Sequence, residues 1–491
     1  MNGPIRHMAT AIFLVFAVLA GAVTYQQLIV GPDYRDDPRN ARLLAGRAGR
    51  ERGTIITADG VVVATSEADP DDPRVFRRIY PEDGLYAHVV GYATQLFGSA
   101  GLESAWADQL LTDRDATISG VINAMMGDDL RPRGLRLTID HDLQQTAAEA
   151  LGDQTGSVVA LDPATGAILA LVSNPTFDPN RLLGTGAGPV GTQLDEDPTQ
   201  PLLNRAVAES YAPGSTFKII TATAALETGE AGPGTSYPDP LELELPGSTS
   251  TIRNFNRRVC ANGDTVSLAE AFRRSCNTTF AQIGIQLDAL PLVTAAESFG
   301  FNLEIPLDLR VVPSAIPDAA TFADDLPGVA QTAIGQRDVR ATPLQMALVG
   351  AAVANGGEIM EPYLVAEVFN ADAEIQSEAE PAVWRRAMSP ATAAVLEEMM
   401  EDVVANGTGR NAAVEGIRIA GKTGTAQVPD SAPHAWFVGY GSVGAGPDEQ
   451  QIVVAVLVES GGDAGEDATG GSVAAPIAQA VFQEFFGLTP Q

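Results

Sequence analysis

Two lysines stand against 28 arginines in this chain, Lys218 within YAPGSTFKII (211–220) and Lys422 within IRIAGKTGTAQV (417–428). A guanidinium keeps its proton in proteins, whereas an ammonium gives it up when buried or set beside another cation. The near-total use of arginine elsewhere marks these two positions as places where an amine is needed. Ser215 stands three residues before Lys218 and just after Pro213 and Gly214. The residues that follow, TFKIITATAALETG, carry a helical pattern ending near Gly229. Ser215 is therefore expected at a helix N-terminus, with Lys218 one turn on along the same face. A serine hydroxyl is a weak nucleophile until a base takes its proton. Lys218 is that base only if its amine is neutral, a state favoured by burial and by a second ammonium close by. Lys422 is the one side chain able to supply that ammonium.

Lys422 lies in a strand pattern with Gly421 and Gly424 on either side, which leave room for a substrate to approach the backbone. Its cation, with the hydroxyls of Thr423 and Thr425, could hold a carboxylate. A third stretch, SLAEAFRRSCNTTFAQIGIQL (267–287), opens with Ser267 and Glu270 as a capping box. Its helix is expected to break near Ser275, Cys276 and Asn277, setting a hydroxyl and a carboxamide at a helix junction. The motifs Ser-x-x-Lys, Ser-x-Asn and Lys-Thr-Gly thus occur in that order, with both lysines inside them. Taken alone, Ser215 is an ordinary helix start, Ser275 and Asn277 a helix cap, and Lys422 a solvated strand residue. The four histidines, His7, His88, His141 and His434, offer no Ser-His-Asp arrangement, and no Cys/His cluster has metal spacing. No metal and no cofactor is expected.

The elements that must position these residues follow from patterning. The chain has 491 residues and a formal net charge of −32, an acidity that argues against nucleic acid as a partner. Residues 8–23 carry no charge and the apolar character runs to 30, with Arg6 before it, so 8–30 is read as a membrane anchor behind a cytoplasmic tail of 1–7. Ala20-Gly21-Ala22 leaves signal-peptide cleavage open as the alternative. Either way the rest is expected on the outer side of the membrane. Residues 31–150 form a small mixed domain, with strands over 53–65 and 74–80 and, near its end, a strand and then a helix capped by Asp140. Residues 151–491 form the domain that carries the motifs. It begins with a hairpin over 156–173 and a Gly/Pro-rich loop over 176–200. Helical patterns dominate 215–405, with loops near 230–265 and 311–330. Strands return over 417–428, 435–440 and 451–459, and a helix closes at 473–486. Strands at both ends with helices between imply one sheet built from the two termini, an α+β fold.

With the motifs in place, the chain resembles the class B penicillin-binding proteins, its actinobacterial members above all. The resemblance runs nearly the whole length, through RGTIITADG (52–60), AGLE (100–103), GSVVALDPATGAILALVS (156–173), NRAVAESYAPGSTFKII (204–220), AIGQRDVRATPLQMA (333–347), KTGTAQ and HAWFVGY. It implies a serine β-lactamase-like domain, a five-stranded antiparallel sheet flanked by helices, that cross-links peptidoglycan stem peptides and is acylated by β-lactams. By the same resemblance Ser215 attacks the terminal D-alanyl-D-alanine carbonyl and Lys218 accepts its proton. Ser275 passes a proton to the leaving D-alanine with Lys422 nearby, and Asn277 bonds the peptide. Lys422, Thr423, Gly424 and Thr425 hold the terminal carboxylate, and the Ser215 and Thr425 backbone N–H groups form the oxyanion hole.

Two departures stand out. Ile56-Thr57-Ala58-Asp59-Gly60 replaces the family's usual aromatic-Asp-Arg-Asn-Gly run, and Cys276 fills the middle of Ser-x-Asn. Outside the membrane two cysteines imply a Cys260–Cys276 disulfide, with two free buried thiols as the alternative. A D,D-carboxypeptidase or endopeptidase would use the same motifs with water as acceptor, but the 31–150 segment and the anchor favour a transpeptidase. A β-lactamase would need an added glutamate for deacylation, and none is evident. A β-lactam sensor or scaffold would carry further membrane helices. Residues 31–150 are too short for a glycosyltransferase, so glycan polymerisation falls to a partner synthase. Division or elongation proteins are expected with it by resemblance alone.

Overall fold

The computed structural model describes residues 2–488 apart from 27–48, 112–130, 185, 256, 262, 430, 447 and 448. The chain opens with the helix Asn2–Tyr25. Its Gly3–Tyr25 stretch packs against nothing, and among the described residues it is the one helix long and apolar enough to cross a membrane. The last residues of the expected 8–30 span, 27–30, lie outside the described residues, as does the polar run 31–48.

A five-stranded sheet holds the site. Its order is Arg418–Val428, Ser431–Val443, Gln450–Val458, Gly156–Leu161 and Ile168–Asn174, every pair antiparallel. The first and last thirds of the domain thus meet at the centre, as the strand pattern at both termini implies. The middle strand Gln450–Val458 reads as an unbroken apolar run because both of its faces are buried. Val453, Ala455 and Leu457 face one core, and Ile452, Val454, Val456 and Val458 the other, the two-residue alternation of a strand. Helix Pro343–Ala354 covers the first face. It is buried on all sides, starts on a Thr342 cap with Pro at its first position, and carries no charge. Helices His141–Leu151 and Ala475–Phe485 cover the second face. The Asp140 side chain accepts from the Leu143 N–H at 2.9 Å and caps the former, as its position predicts.

A second, six-stranded sheet runs Ile375–Glu378, Val365–Phe369, Gly134–Leu137, Ile55–Ile56, Val62–Ala68, Phe76–Ile79. Two of its strands come from far down the chain, so the 31–150 segment and the rest interlock. The RGTI and AGLE stretches meet here. Glu103 is fully buried and takes Arg52 Nε at 2.6 Å and Arg78 Nε at 2.5 Å. Burial raises its pKa, but Arg78 and Arg52 outweigh that and hold the carboxyl below its ordinary value.

Three expectations need correction. The loop expected over 176–200 contains a 3-10 turn, Pro179–Leu182, and a helix, Ala187–Glu196. Gly191 there lies against the Phe97 ring, where a Cβ would come within 2.2 Å, so packing overrides a composition poor in helix formers. The 230–265 loop carries two small two-stranded ladders, Ser236–Pro238 with Thr265–Ser267 and Glu242–Glu244 with Thr251–Arg253. Between 358 and 386 the expected helix is replaced by four strands whose partners include Gly134–Leu137. Pairing over such a separation leaves no local trace.

Candidate active site

Ser215 sits in the 3-10 turn Gly214–Phe217, which runs directly into helix Lys218–Glu227. Gly214 has φ +53°, and a Cβ on it would lie 3.1 Å from Ala426 N and Cα. Glycine is required there twice, for the left-handed backbone and for close approach to the strand Arg418–Val428. That approach brings the Ser215 backbone beside Thr425.

Ser275 ends helix Leu268–Arg274, and Asn277 starts helix Asn277–Leu287. Ser267 caps the first helix by accepting from the Glu270 N–H. The reciprocal half of the expected capping box is replaced, because the Glu270 carboxylate pairs with Arg273 and Arg274. Ser275 has φ 62° and ψ 43°, a conformation rare outside glycine. It lets one residue turn both its carbonyl and its hydroxyl inward. The buried Asn254 caps the second helix: its Oδ1 accepts from Asn277 N–H at 2.7 Å and Thr278 N–H at 3.2 Å. Cys276 is joined to Cys260 by a disulfide with 5.8 Å between the Cα atoms. Asp239 takes the N–H groups of Cys260 and Ala261 at 2.9 and 2.6 Å.

Both lysines are fully buried and converge on Ser275. Lys218 Nζ donates to Ser275 O at 2.8 Å and Asn277 Oδ1 at 2.7 Å, with Ser275 Oγ at 3.4 Å. Lys422 Nζ donates to Ser275 Oγ at 2.8 Å and Thr423 O at 3.1 Å. Among the described residues no carboxylate pairs with either lysine. Burial, and after it the neighbouring Lys422, holds Lys218 well below the usual lysine value of 10.5. Burial lowers Lys422 to about 7. Each lysine also faces an aromatic ring, Phe280 at 5.4 Å from Lys218 and Phe272 at 5.7 Å from Lys422.

The Lys422 strand is an edge of its sheet, so alternate backbone groups stay unpaired on the side that faces Ser215. Ser215, Ser275, Asn277, Thr423 and Thr425 line one cleft of about 1450 Å³. The Thr423 hydroxyl bonds Thr408 Oγ1 at 2.6 Å. The two glycines of this strand act differently from the expectation that they make room for substrate. A Cβ on Gly421 would strike the Phe437 ring at 2.4 Å, and one on Gly424 would lie 3.0 Å from Pro213 O, Thr216 Cγ2 and Trp436 Cβ. Their space is taken by the protein, and Gly424 lets the Ser215 turn seat on the strand. His434 stands apart from the cleft lining, accepting from the Ser460 N–H at 3.0 Å and packed edge-on to Tyr211.

A family model described as the penicillin-binding protein transpeptidase domain matches residues 156–483. The chain belongs to the penicillin-binding protein transpeptidase family. A second model, the penicillin-binding protein A dimerisation domain, matches residues 52–134. The chain is 40% identical over 502 residues, 98% of each chain, to the peptidoglycan D,D-transpeptidase PbpA of Mycolicibacterium smegmatis. It is 39% identical over 504 residues to the PbpA of Mycobacterium tuberculosis, covering 98% of this chain and 99% of that one. Among solved structures, penicillin-binding protein A of M. tuberculosis as its ceftriaxone acyl-enzyme superposes with a TM-score of 0.81 at 37% identity, over 90% of this chain and 99% of that one. The penicillin G acyl-enzyme of the same protein gives 0.79 at 37% identity, over 89% and 100%.

Three residues of this family member's site escaped the sequence reading: Asn254, Asp239 and Thr408. Each serves through a contact more than a dozen residues away, and none has a spacing signal. Asn254 stands in RNFNRR, which reads as an exposed loop, so its burial alone could have drawn notice.

Proposed function

We propose that this chain is a peptidoglycan D,D-transpeptidase that works through a Ser215 acyl-enzyme and is inhibited by β-lactams. One observation carries the reading. A neutral lysine amine has two hydrogens and one lone pair, and Lys218 has two close acceptors, Ser275 O and Asn277 Oδ1. Both hydrogens are used, and the lone pair is left for the Ser215 proton.

The steps follow. Ser215 Oγ attacks the carbonyl of the terminal D-alanyl-D-alanine bond as Lys218 takes its proton. The Ser215 and Thr425 N–H groups meet the oxyanion, a contribution typically of ~10²–10³ in rate. Ser275 Oγ accepts from Lys422, so its hydroxyl proton can pass to the departing D-alanine nitrogen while Lys218, 3.4 Å away, returns to Ser275 the proton taken from Ser215. Lys422, Thr423 and Thr425 hold the terminal carboxylate, with Thr423 steadied by Thr408. An amine of a neighbouring stem then attacks the acyl carbonyl, and the proton it gives up returns to Ser215 Oγ as that bond breaks. Relatives of the same family are named peptidoglycan D,D-transpeptidases, and one was captured as a ceftriaxone acyl-enzyme, which supports the same chemistry here.

In the same reading residues 8–30 are an uncleaved anchor that holds the catalytic unit outside the cell membrane. Residues 31–150 form a spacer, and 151–491 the transpeptidase unit. A glycan-polymerising synthase and division or elongation proteins supply the strands to be joined. The test is the intact mass of the protein after benzylpenicillin, for wild type and Ser215→Ala, followed over hours. A persistent adduct in the wild type alone is expected. No adduct, or one lost within seconds while penicillin is consumed, would sink the proposal.

A further inference from the structure

Six arginines, Arg253, Arg257, Arg273, Arg274, Arg337 and Arg410, line the cleft, and no Asp or Glu does among its described residues. In a chain with 62 acidic residues against 30 basic ones, chance would put carboxylates there first. Four of the six are answered by carboxylates set outside the lining: Arg253 by Glu242, Arg273 and Arg274 by Glu270, and Arg337 by Asp325. Arg257 and Arg410 have no carboxylate within ion-pair distance among the described residues.

These two come from different stretches of the lining. Arg410 begins the turn Arg410–Ala412, two residues after the Thr408 that bonds Thr423, so it belongs to the Lys-Thr-Gly side. Arg257 belongs to the Asn277 side. Its φ is 54°, a left-handed backbone that arginine rarely adopts. Surrounding bonds impose it. The Arg257 N–H donates to Asn254 O at 2.9 Å, and Asn254 Nδ2 donates to Arg258 O at 3.0 Å. The disulfide to Cys276 closes the same loop. A residue held in a sparsely populated conformation by such tethers is one whose direction matters.

We propose that Arg257 and Arg410 make the cleft selective for stem peptides that carry a free carboxylate ahead of the terminal D-alanyl-D-alanine, over the same stems with that carboxylate amidated. The inference rests on the transpeptidase reading above. The chain as a whole, at a net charge of −32, repels such a stem at long range. Inside, one-signed walls focus the field, raise the local concentration of the anion and speed its capture. Amidation removes the charge and keeps the size, so it isolates this effect from fit.

The test uses the full chain in detergent and two thioester analogues of the stem's D-alanyl end. They are identical except that one has the free carboxylate and the other its amide. Acylation of Ser215 by each is followed by intact mass, with benzylpenicillin as a third acylating agent. The acid is expected to react about tenfold faster or more in the wild type. The ratio should fall towards one in about 0.5 M salt and in the double variant Arg257→Gln, Arg410→Gln. Equal rates for the two analogues, with benzylpenicillin still acylating, overturn the proposal and leave the transpeptidase reading standing. A preference that survives salt, or that the double variant keeps, also overturns it. No acylation by any of the three overturns the transpeptidase reading and the proposal with it. The salt series needs only wild type, so a variant that fails to fold does not shield the idea.

Discussion

Asn254→Ala should damage the site without touching any of its reacting groups. The Asn254 Oδ1 accepts from two N–H groups at the start of helix Asn277–Leu287, and its Nδ2 donates to Arg258 O. Loss of a helix cap costs about 0.5–2 kcal/mol, and the carbonyl of the exposed Arg258 can turn to water. That loss is read as a lower urea midpoint for the domain by tryptophan fluorescence. The catalytic effect comes through Asn277, whose Oδ1 takes one of the two Lys218 hydrogens. A displacement of about 1 Å at such a junction can cost about 10²-fold in rate, so acylation by benzylpenicillin should slow about ten- to a hundredfold. Asn254→Asp provides the control. A carboxylate still accepts from both N–H groups and suits a helix N-terminus, so most of the rate should return although the Arg258 contact is lost. If the Ala variant loses stability but acylates at the wild-type rate, the cap is structural only. If neither quantity moves, the disulfide alone holds the junction and this reasoning fails.

Further outcomes follow from the geometry. The acylation rate should fall as pH drops through the lowered value of Lys218, because the neutral amine is the base and burial, with Lys422 after it, holds that value well below the usual 10.5. Lys422→Met removes the charge that helps hold Lys218 low, so the acid limb should move to higher pH; an unmoved limb would assign the effect to burial alone. Both folded-state values lie below the unfolded ones, so the unfolded chain binds more protons between about pH 7 and the usual 10.5. Stability from these lysines therefore rises with pH across that window and is least below it. Gly214→Ala should nearly abolish acylation while the fold survives by circular dichroism, since a Cβ would force a backbone at φ +53° away from Ala426. Glu103→Gln leaves the buried Arg52 and Arg78 without their counter-charge, at a cost of about 3–5 kcal/mol. It should unfold the N-terminal unit at lower urea while Ser215 still acylates.

Local chemistry made much of this protein legible in its residues. The two lysines, the serine ahead of each hydrophobic turn and the Asp140 cap depend on spacings of two to four residues, which a helix or strand converts into geometry by itself. The buried strand Gln450–Val458 also announced itself, because a continuous apolar run has nowhere to go but a core. Gly214 and Gly424 were visible as glycines, but what they make room for was not.

Tertiary structure alone decided the rest. Lys218 and Lys422 stand 204 residues apart in sequence, and only the sheet, with its edge strand laid against the Ser215 turn, brings both to Ser275. The low pKa of Lys218 comes from burial and then from Lys422, and that of Lys422 from burial, which no sequence window contains. The strands between 358 and 386, the Glu103 pairing of two distant stretches, the Asn254 cap and the arginine-lined cleft are likewise products of long-range closure. Sequence encodes these contacts only through the global minimum, since each depends on a partner whose position is set by all the others.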